Sequence, residues 1–350
     1  MITLTDVLKA TKGSCPGANP DTKIGELNFT GVSTDTRTIR PGELFIALQG
    51  DTFDGHAYVG QAASKGAAAA VVSRPVETPS GLPQILVPDT LKAYQDIASF
   101  YRMSFPHLKV VGITGSNGKT STKDMIAAVL ATRYKVSKTR GNFNNEIGLP
   151  HTLLEITPTT EIAVTEMGMR GLGQIKAMCA FAKPDVAVIT NVGSTHVGEL
   201  GSLANIAKAK SEILEDLPQD GFAVLNGDLP RVRAMESKLH VPVSWFGLQP
   251  EDDVRAEAVE ITATGSTFLC KAGTEEATIF LPLIGEHNVM NALAAIAVGR
   301  YFGVKLNDMK NALAAVRITD SRQEVLHFGS YTVIDDAYNA SPASMEAAFA

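Results

Sequence analysis

Val110-Val111-Gly112-Ile113-Thr114-Gly115-Ser116-Asn117-Gly118-Lys119-Thr120-Ser121-Thr122 is the stretch on which the reading of the fold turns. An apolar run gives way to a glycine-punctuated turn, then to Lys-Thr, then to residues that a helix tolerates. The order is strand, phosphate loop, helix. Glycines let a backbone approach an anion closely, and a helix N-terminus aims unpaired N–H groups and the positive end of its dipole at that anion. Gly115, Ser116, Asn117, Gly118, Lys119, Thr120 and Ser121 are therefore expected around a phosphate tail, with Lys119 on the outer phosphates and the Thr120 hydroxyl on Mg²⁺. Ile113 stands where the longer G-x-x-x-x-G-K-[ST] pattern has its first glycine, so the cradle is the shorter Gly115-x-x-Gly118-Lys119-Thr120.

Outward from this stretch, apolar runs suited to strands alternate with amphipathic segments. Strands are expected over residues 109–114, 162–166, 185–191 and 222–226, and helices over 119–132, 173–180 and 202–217. Such alternation predicts an α/β fold with a mainly parallel sheet and helices on both faces. Strand-like runs at 254–262, 267–270 and 277–281 read as a small antiparallel appendage, and 288–302 and 307–316 as paired helices. Ahead of this unit, residues 1–107 form a first α/β domain. It has a helix over 5–12, a strand over 43–48, helix, glycine stop and strand over 62–72, a helix over 91–104 and a Phe105-Pro106-His107 linker. Behind it, residues 319–350 open a third domain, with strands over 323–328 and 331–335 and a helix from Pro342. A βα start buries little, so this domain reads as cut short at Ala350. The expected division is 1–107, 108–318 and 319–350.

The chain has 350 residues, 45% hydrophobic and 19% charged, which suits a soluble globular protein of two or three domains. Its formal net charge of −6 offers no global basic field for nucleic acid or an anionic membrane. Cys15, Cys179 and Cys270 are too scattered for a disulfide framework or a zinc site and read as reduced thiols of a cytoplasmic protein. No signal peptide is expected, because no basic segment followed by an apolar core opens the chain. No apolar run approaches the roughly 20 residues that span a bilayer.

In open α/β sheets, ligands bind beyond the carboxyl ends of the strands. Glu166 ends the expected strand Ala163-Val164-Thr165-Glu166, and His196 follows the run from Thr190 to Thr195. A hard cation such as Mg²⁺ takes oxygen ligands, so Glu166 opposite Thr120 is the expected metal site, with His196 nearby. In the 202–217 helix, Leu203, Ile206, Ala207, Ile213, Leu214 and Leu217 form an apolar stripe that takes in Lys210 and excludes Lys208. Burying a lysine is costly and lowers its pKa. Two readings of Lys210 stand: a stem lying on apolar surface with its ammonium in water, or a modified or charge-paired lysine near the metal. Asn142, Asn144 and Asn145, in a glycine-bounded loop, could bond a phosphate or sugar or satisfy one another as an Asx-rich turn. In the first domain, Ser33-Thr34-Asp35-Thr36-Arg37 and Gly50-Asp51-Thr52-Phe53-Asp54-Gly55-His56 flank a strand and could serve a second ligand or be simple turns.

Together these residues resemble the Mur ligase family of ATP-dependent peptide-bond-forming enzymes. The most specific pieces are residues 115–123, 141–150 and 190–196, with Glu166-Met167-Gly168-Met169-Arg170-Gly171, Glu286-His287-Asn288-Val289-Met290-Asn291-Ala292 and Asp335-Asp336-Ala337-Tyr338-Asn339-Ala340-Ser341-Pro342. The Asn-Phe-Asn-Asn-Glu and Asp-Asp-Ala-Tyr-Asn runs resemble the branch that adds D-alanyl-D-alanine to UDP-N-acetylmuramoyl-tripeptide. The resemblance implies a UDP-sugar-binding domain, a central ATPase and a Rossmann-like C-terminal domain, which in the family continues for about another hundred residues, a typical small-domain length. It implies ATP and Mg²⁺, as two ions, and a monomer working in cytoplasmic peptidoglycan precursor synthesis. By the same resemblance Thr36, Arg37, Gly50, Asp51 and Thr52 contact the uridine diphosphate, and Asn142, Asn144 and Asn145 belong to the same substrate's site. Thr120, Glu166 and His196 match metal ligands; Lys119, His196 and Lys210 form the catalytic set, the last matching a lysine carbamylated in some siblings. Asn288 and Asn291 match adenine contacts, Asp336 a residue near the ATP ribose, and Arg322 an ATP contact, although Ser321-Arg322 stands where the family often has Gly-Arg. Rival readings are a sibling Mur or folylpolyglutamate-type ligase, or a non-catalytic nucleotide or UDP-sugar binder left by the missing C-terminal domain. A dinucleotide-dependent dehydrogenase is disfavoured, because no G-x-G-x-x-G opens a helix.

Overall fold

Five of the six residues in the strand Lys109–Thr114 are buried, the condition that an unbroken apolar run requires of a strand covered on both faces. In the computed structural model, which describes residues 2–16, 27–78, 81–318, 324–329, 331–340 and 345–346, this strand belongs to a nine-stranded sheet. On one side it pairs in parallel with Ile162–Glu166, beyond which lies the edge strand Val136–Lys138. On the other it pairs in parallel with Val186–Ile189, followed by Phe222–Asn226 and Val243–Gly247. Phe246 and Gly247 then pair with Val254 and Arg255, and the sheet ends in the antiparallel strands Val254–Thr262, Gly265–Ala272 and Glu275–Leu281. The expected appendage is thus a continuation of the main sheet. A junction of two residue pairs leaves no mark in periodicity or composition.

Helices Lys119–Ala131 and Glu286–Tyr301 cover one face. Met125, Ile126, Val129, Val289, Ala292, Leu293 and Ile296 share a buried cluster with Val111, Ile113, Val164 and Val188. Glu286–Tyr301 is buried almost all round, as its mixed apolar faces require. The other face, at Gly112, meets Pro184, Met167 and Ile213. The long helix expected over 202–217 is Leu203–Ser211, tightening into a 3-10 turn at Glu212–Leu214. Glu324–Phe328 and Tyr331–Asp335 form an antiparallel hairpin. The helix expected from Pro342 lies mostly outside the described residues.

Met1–Pro106 with Leu153–Ile156 make one compact unit, and His107–Thr152 with Thr157–Ala350 make the other. The first unit holds a four-stranded parallel sheet in which Val32–Ser33, Leu44–Ile46, Ala69–Val72 and Gln84–Leu86 lie in chain order. Alternate residues face opposite sides. Leu44, Ile46, Ala69 and Val71 pack with Tyr94 and Ile97 of the helix Thr90–Met103; Phe45, Ala47, Ala70 and Val72 pack with Val59 and Ala62. Asp89 caps that helix by accepting from the Leu91 and Lys92 N–H groups.

The entry to the central strand has its own anchor. Asp185, 9% exposed, accepts from the Val110 N–H at 2.8 Å and from Lys109 Nζ at 2.9 Å. Asp185→Ala would leave a buried N–H without its acceptor, which costs about 1–3 kcal/mol. The expected result is a lower denaturation midpoint with an unchanged denaturant slope.

Candidate active site

Gly118, at φ +77°, ends the loop that follows the central strand and caps the helix Lys119–Ala131. A Cβ there would lie 2.5 Å from Asn291 Oδ1, and one at Gly115 would lie 1.9 Å from Thr190 Oγ1. Neither position admits a side chain, which accounts for both glycines. The loop between them is fastened to the tip of a neighbouring strand. Asn191 Oδ1 accepts from the Ser116 and Asn117 N–H groups at 3.0 and 2.9 Å. Thr190 Oγ1 donates to the Asn117 carbonyl at 2.8 Å, and the Gly193 N–H donates to Ser116 Oγ at 2.8 Å. Lys119 folds back over the loop, donating to the Gly115 and Ser116 carbonyls at 2.9 and 3.2 Å. A phosphate would compete well for this ammonium, because charge-assisted bonds outweigh those to neutral carbonyls.

Glu166 is 2% exposed and stands at the tip of the adjacent strand. Thr120 Oγ1 donates to its Oε2 at 2.8 Å, Asn144 Nδ2 to its Oε1 at 2.8 Å, and its own N–H donates to Thr139 Oγ1 at 3.0 Å. The Asn144 amide, expected on substrate, is thus engaged with the carboxylate. Lys210 is 1% exposed, whereas Lys208 is exposed. Burial, and then the charge of Lys119, push the Lys210 amine well below its usual pKa. At 1% exposure the side chain does not lie on the surface with its ammonium in bulk water, as the first reading of Lys210 requires. His196 adopts φ +68°, with Nδ1 3.9 Å from Glu199 Oε2. Burial lowers its pKa; Glu199 opposes this, and Lys210, Lys119 and Arg170 add to it, which favours the neutral imidazole.

Thr122 Oγ1 donates to Asn291 Oδ1 at 3.0 Å, and Asn291 Nδ2 to Asn288 Oδ1 at 3.3 Å, linking the two covering helices beside the cradle. A cleft of about 890 Å³ within the second unit gathers the groups. Gly115, Ser116, Asn117, Gly118, Lys119, Thr120, Ser121, Asn142, Asn144, Asn145, Glu166, His196, Lys210, Asn288, Asn291 and Asp336 all line it. Arg322 lies outside the described residues. Arg170, Asn191, Asn226, Asp228 and Tyr338 line the cleft too and were not among the expected site residues. Asn191 and Asn226 follow or end strands, the same signal that singled out Glu166.

The remaining expected residues lie in the first unit. Thr36, 7% exposed, donates to Gln61 Oε1 at 2.8 Å, and Lys65 Nζ donates to the Thr36 carbonyl at 2.7 Å. Arg37 is exposed and forks onto Asp35, whose pKa it lowers. Gly50, Asp51 and Thr52 form an exposed turn closed by the Gly50 N–H on the Phe53 carbonyl at 2.8 Å.

Among the described residues no helix is long and apolar enough to cross a membrane. Residues 113–299 match the family description Mur ligase middle domain, and residues 28–102 match Mur ligase family, catalytic domain. The UDP-N-acetylmuramoyl-tripeptide–D-alanyl-D-alanine ligase of Bacillus subtilis is 44% identical over 348 residues, covering 99% of this chain and 74% of its own. The Escherichia coli protein of the same name is 37% identical, covering 99% of this chain and 75% of its own. MurF from Acinetobacter baumannii superposes with a TM-score of 0.92 at 33% identity, over 99% of this chain and 75% of that one. The Thermotoga maritima MurF ligase in complex with ADP gives 0.82 at 29% identity, over 91% and 73%. A Mycobacterium tuberculosis folylpolyglutamate synthase, at 22% identity and 0.60 over 74% of this chain and 69% of that one, shares the fold alone. With its phosphate cradle, buried strand-tip carboxylate and these relatives, the chain belongs to the Mur ligase family.

Proposed function

We propose that this chain is an ATP-dependent, ADP-forming ligase that joins D-alanyl-D-alanine to UDP-N-acetylmuramoyl-tripeptide in peptidoglycan precursor synthesis. The observation that carries the reading is one cleft holding the Lys119 cradle, the Glu166 carboxylate and the buried Lys210 together. Relatives up to 44% identical over nearly the whole chain are named for these substrates. We place the enzyme in the cytoplasm, where ATP and a UDP-activated sugar meet, and treat it as a monomer. Residues 1–107 would hold the UDP-sugar through Thr36, Arg37 and the Gly50–Thr52 turn, residues 108–318 the ATP, and residues 319–350 would begin a C-terminal domain.

The tripeptide carboxylate attacks the γ-phosphorus of ATP, ADP leaves, and an acyl phosphate forms. The amine of D-alanyl-D-alanine then attacks the acyl carbon, making the amide and releasing phosphate. Positioning and charge neutralisation dominate such chemistry. Lys119 draws its ammonium from two carbonyls onto the transferring phosphoryl oxygens. Asn288 and Asn291 would meet the adenine, and Asp336 the ribose. The buried carboxylate of Glu166 beside the Thr120 hydroxyl suits Mg²⁺, which is commonly held through one or two carboxylates with phosphate and water oxygens. Thr120 and Glu166 would hold one ion; Glu166, His196 and a modified Lys210 would hold a second. Bound there, Mg²⁺ would supply charge neutralisation at the phosphoryl oxygens. In its unprotonated form, which burial favours, the Lys210 amine can add to CO₂, forming an N–C bond and releasing a proton. A carbamate would replace a costly buried cation with oxygen donors.

The following outcomes test this. With ATP, Mg²⁺ and both substrates, the chain should form the amide with one ADP per bond, and a panel with single amino acids or folate should give none. Lys119→Ala should lose about 10²–10³-fold in rate, the loss typical of one group stabilising transition-state charge; ligation at the normal rate would remove the phosphate-loop assignment. Lys210→Ala should be inactive and partly rescued by short carboxylates. In CO₂-free buffer at neutral pH, Lys210→Met should be more stable than the parent, because it removes an amine whose charged form burial disfavours. The sign fixes the pH trend. Lys210 binds its proton more weakly folded than unfolded, so the parent gains stability as pH rises towards 10.5, and the gap to Lys210→Met should narrow.

A further inference from the structure

Lys123 and Asp124 are buried charges in the helix that follows the cradle, each with a side chain only 1% exposed, and the mechanism above uses neither. Asp124 Oδ1 accepts from Lys138 Nζ at 2.6 Å and lies 3.5 Å from Lys123 Nζ. Lys138 ends the three-residue edge strand Val136–Lys138, which pairs on one side only, with residues Ile162 to Val164. So short an edge strand is weakly held by its ladder alone. The next residue, Thr139, donates its N–H to the Val164 carbonyl at 3.0 Å and accepts the Glu166 N–H on its hydroxyl. Farther along the same loop, Asn144 donates to Glu166 Oε1, and its carbonyl accepts from the Gly168 N–H at 2.7 Å.

We propose that the Asp124–Lys138 ion pair is a positioning device for the Glu166 carboxylate. It pins the start of the Thr139–Asn144 loop to the helix whose first turn carries Lys119 and Thr120, so both sides of the metal site are referenced to one rigid element. Thr139 then fixes the backbone of Glu166, and Asn144 fixes the rotation of its carboxylate. Losing a group that orients a metal ligand typically costs about 10–100-fold in metal affinity. Lys123 makes the device separable from the fold. With Lys138 removed, Asp124 keeps a buried cation beside it; with Asp124 removed, Lys123 would be left as an uncompensated buried charge. Lys138, whose side chain is 37% exposed, is therefore the residue to change.

The proposal rests on the ligase reading, and calorimetry of ADP binding with and without Mg²⁺ separates the two. In Lys138→Gln, the Mg²⁺ concentration for half-maximal enhancement of ADP binding should rise by about tenfold, the lower end for lost partners of a metal ligand. ADP affinity in chelator should stay unchanged, and Lys138→Arg should restore the parent's Mg²⁺ dependence. An unchanged Mg²⁺ requirement in Lys138→Gln would overturn the proposal. So would an equal loss of ADP affinity with and without the metal, since that marks a merely structural role. A parent chain that binds no ADP in either condition would overturn the ligase reading and the proposal with it.

Discussion

The hydrogen bond from Thr120 to Glu166 is the contact on which the rest of the site depends. It joins the first turn of the cradle helix to the tip of the strand beside it, two segments 46 residues apart. A carboxylate taken almost wholly out of water is costly unless its oxygens are engaged, and here each has a donor. The bond therefore keeps the buried carboxylate satisfied in the free protein and holds it beside the first turn of the cradle helix.

The parallel sheet makes this convergence possible. Lys109–Thr114, Ile162–Glu166, Val186–Ile189 and Phe222–Asn226 run the same way, so their carboxyl ends bring the cradle, Glu166, Thr190 with Asn191, and Asn226 to one edge. Neighbouring tips then correct one another. Asn226 Nδ2 holds the Thr190 carbonyl at 2.9 Å, Thr190 and Asn191 hold Asn117, and the cradle inherits a shape set by three strands rather than by its own short loop.

Much of this was legible in the amino acids alone. The strand Ile162–Glu166 and the helix start at Lys119 fell where an apolar run and a glycine stop put them. The apolar stripe that took in Lys210 and excluded Lys208 anticipated which lysine is buried, but only the packed structure could decide between a solvated and an enclosed amine. The edge strand Val136–Lys138, the helix Gly148–Leu154 and the strand Val243–Gly247 went unread. Each is short, and each is held by partners distant in sequence or by a local cap. Lys138 leans on Asp124, Asn145 Oδ1 accepts from the Gly148 N–H at 2.8 Å, and Trp245 lies under the Arg233 guanidinium at 4.2 Å. Periodicity reports burial of a face, and elements this short have too few residues to show one. The sequence puts Asn144 in a polar, glycine-bounded loop and suggests a substrate contact, but its bond to Glu166 is invisible there, because a sequence does not say which neighbour an amide will find.

The close fit of Gly118 against Asn291 has a mechanical consequence. The helix that opens at the phosphate cradle and the helix that carries Asn288 and Asn291 touch without slack and are cross-linked by Thr122. The distance between the two ends of any nucleotide lying there is then a property of the scaffold, like the gap of a fixed calliper. Sliding one helix on the other would break the Thr122–Asn291 bond and drive Asn291 against the backbone at Gly118, so any rearrangement of the cleft falls to the loops on its rim.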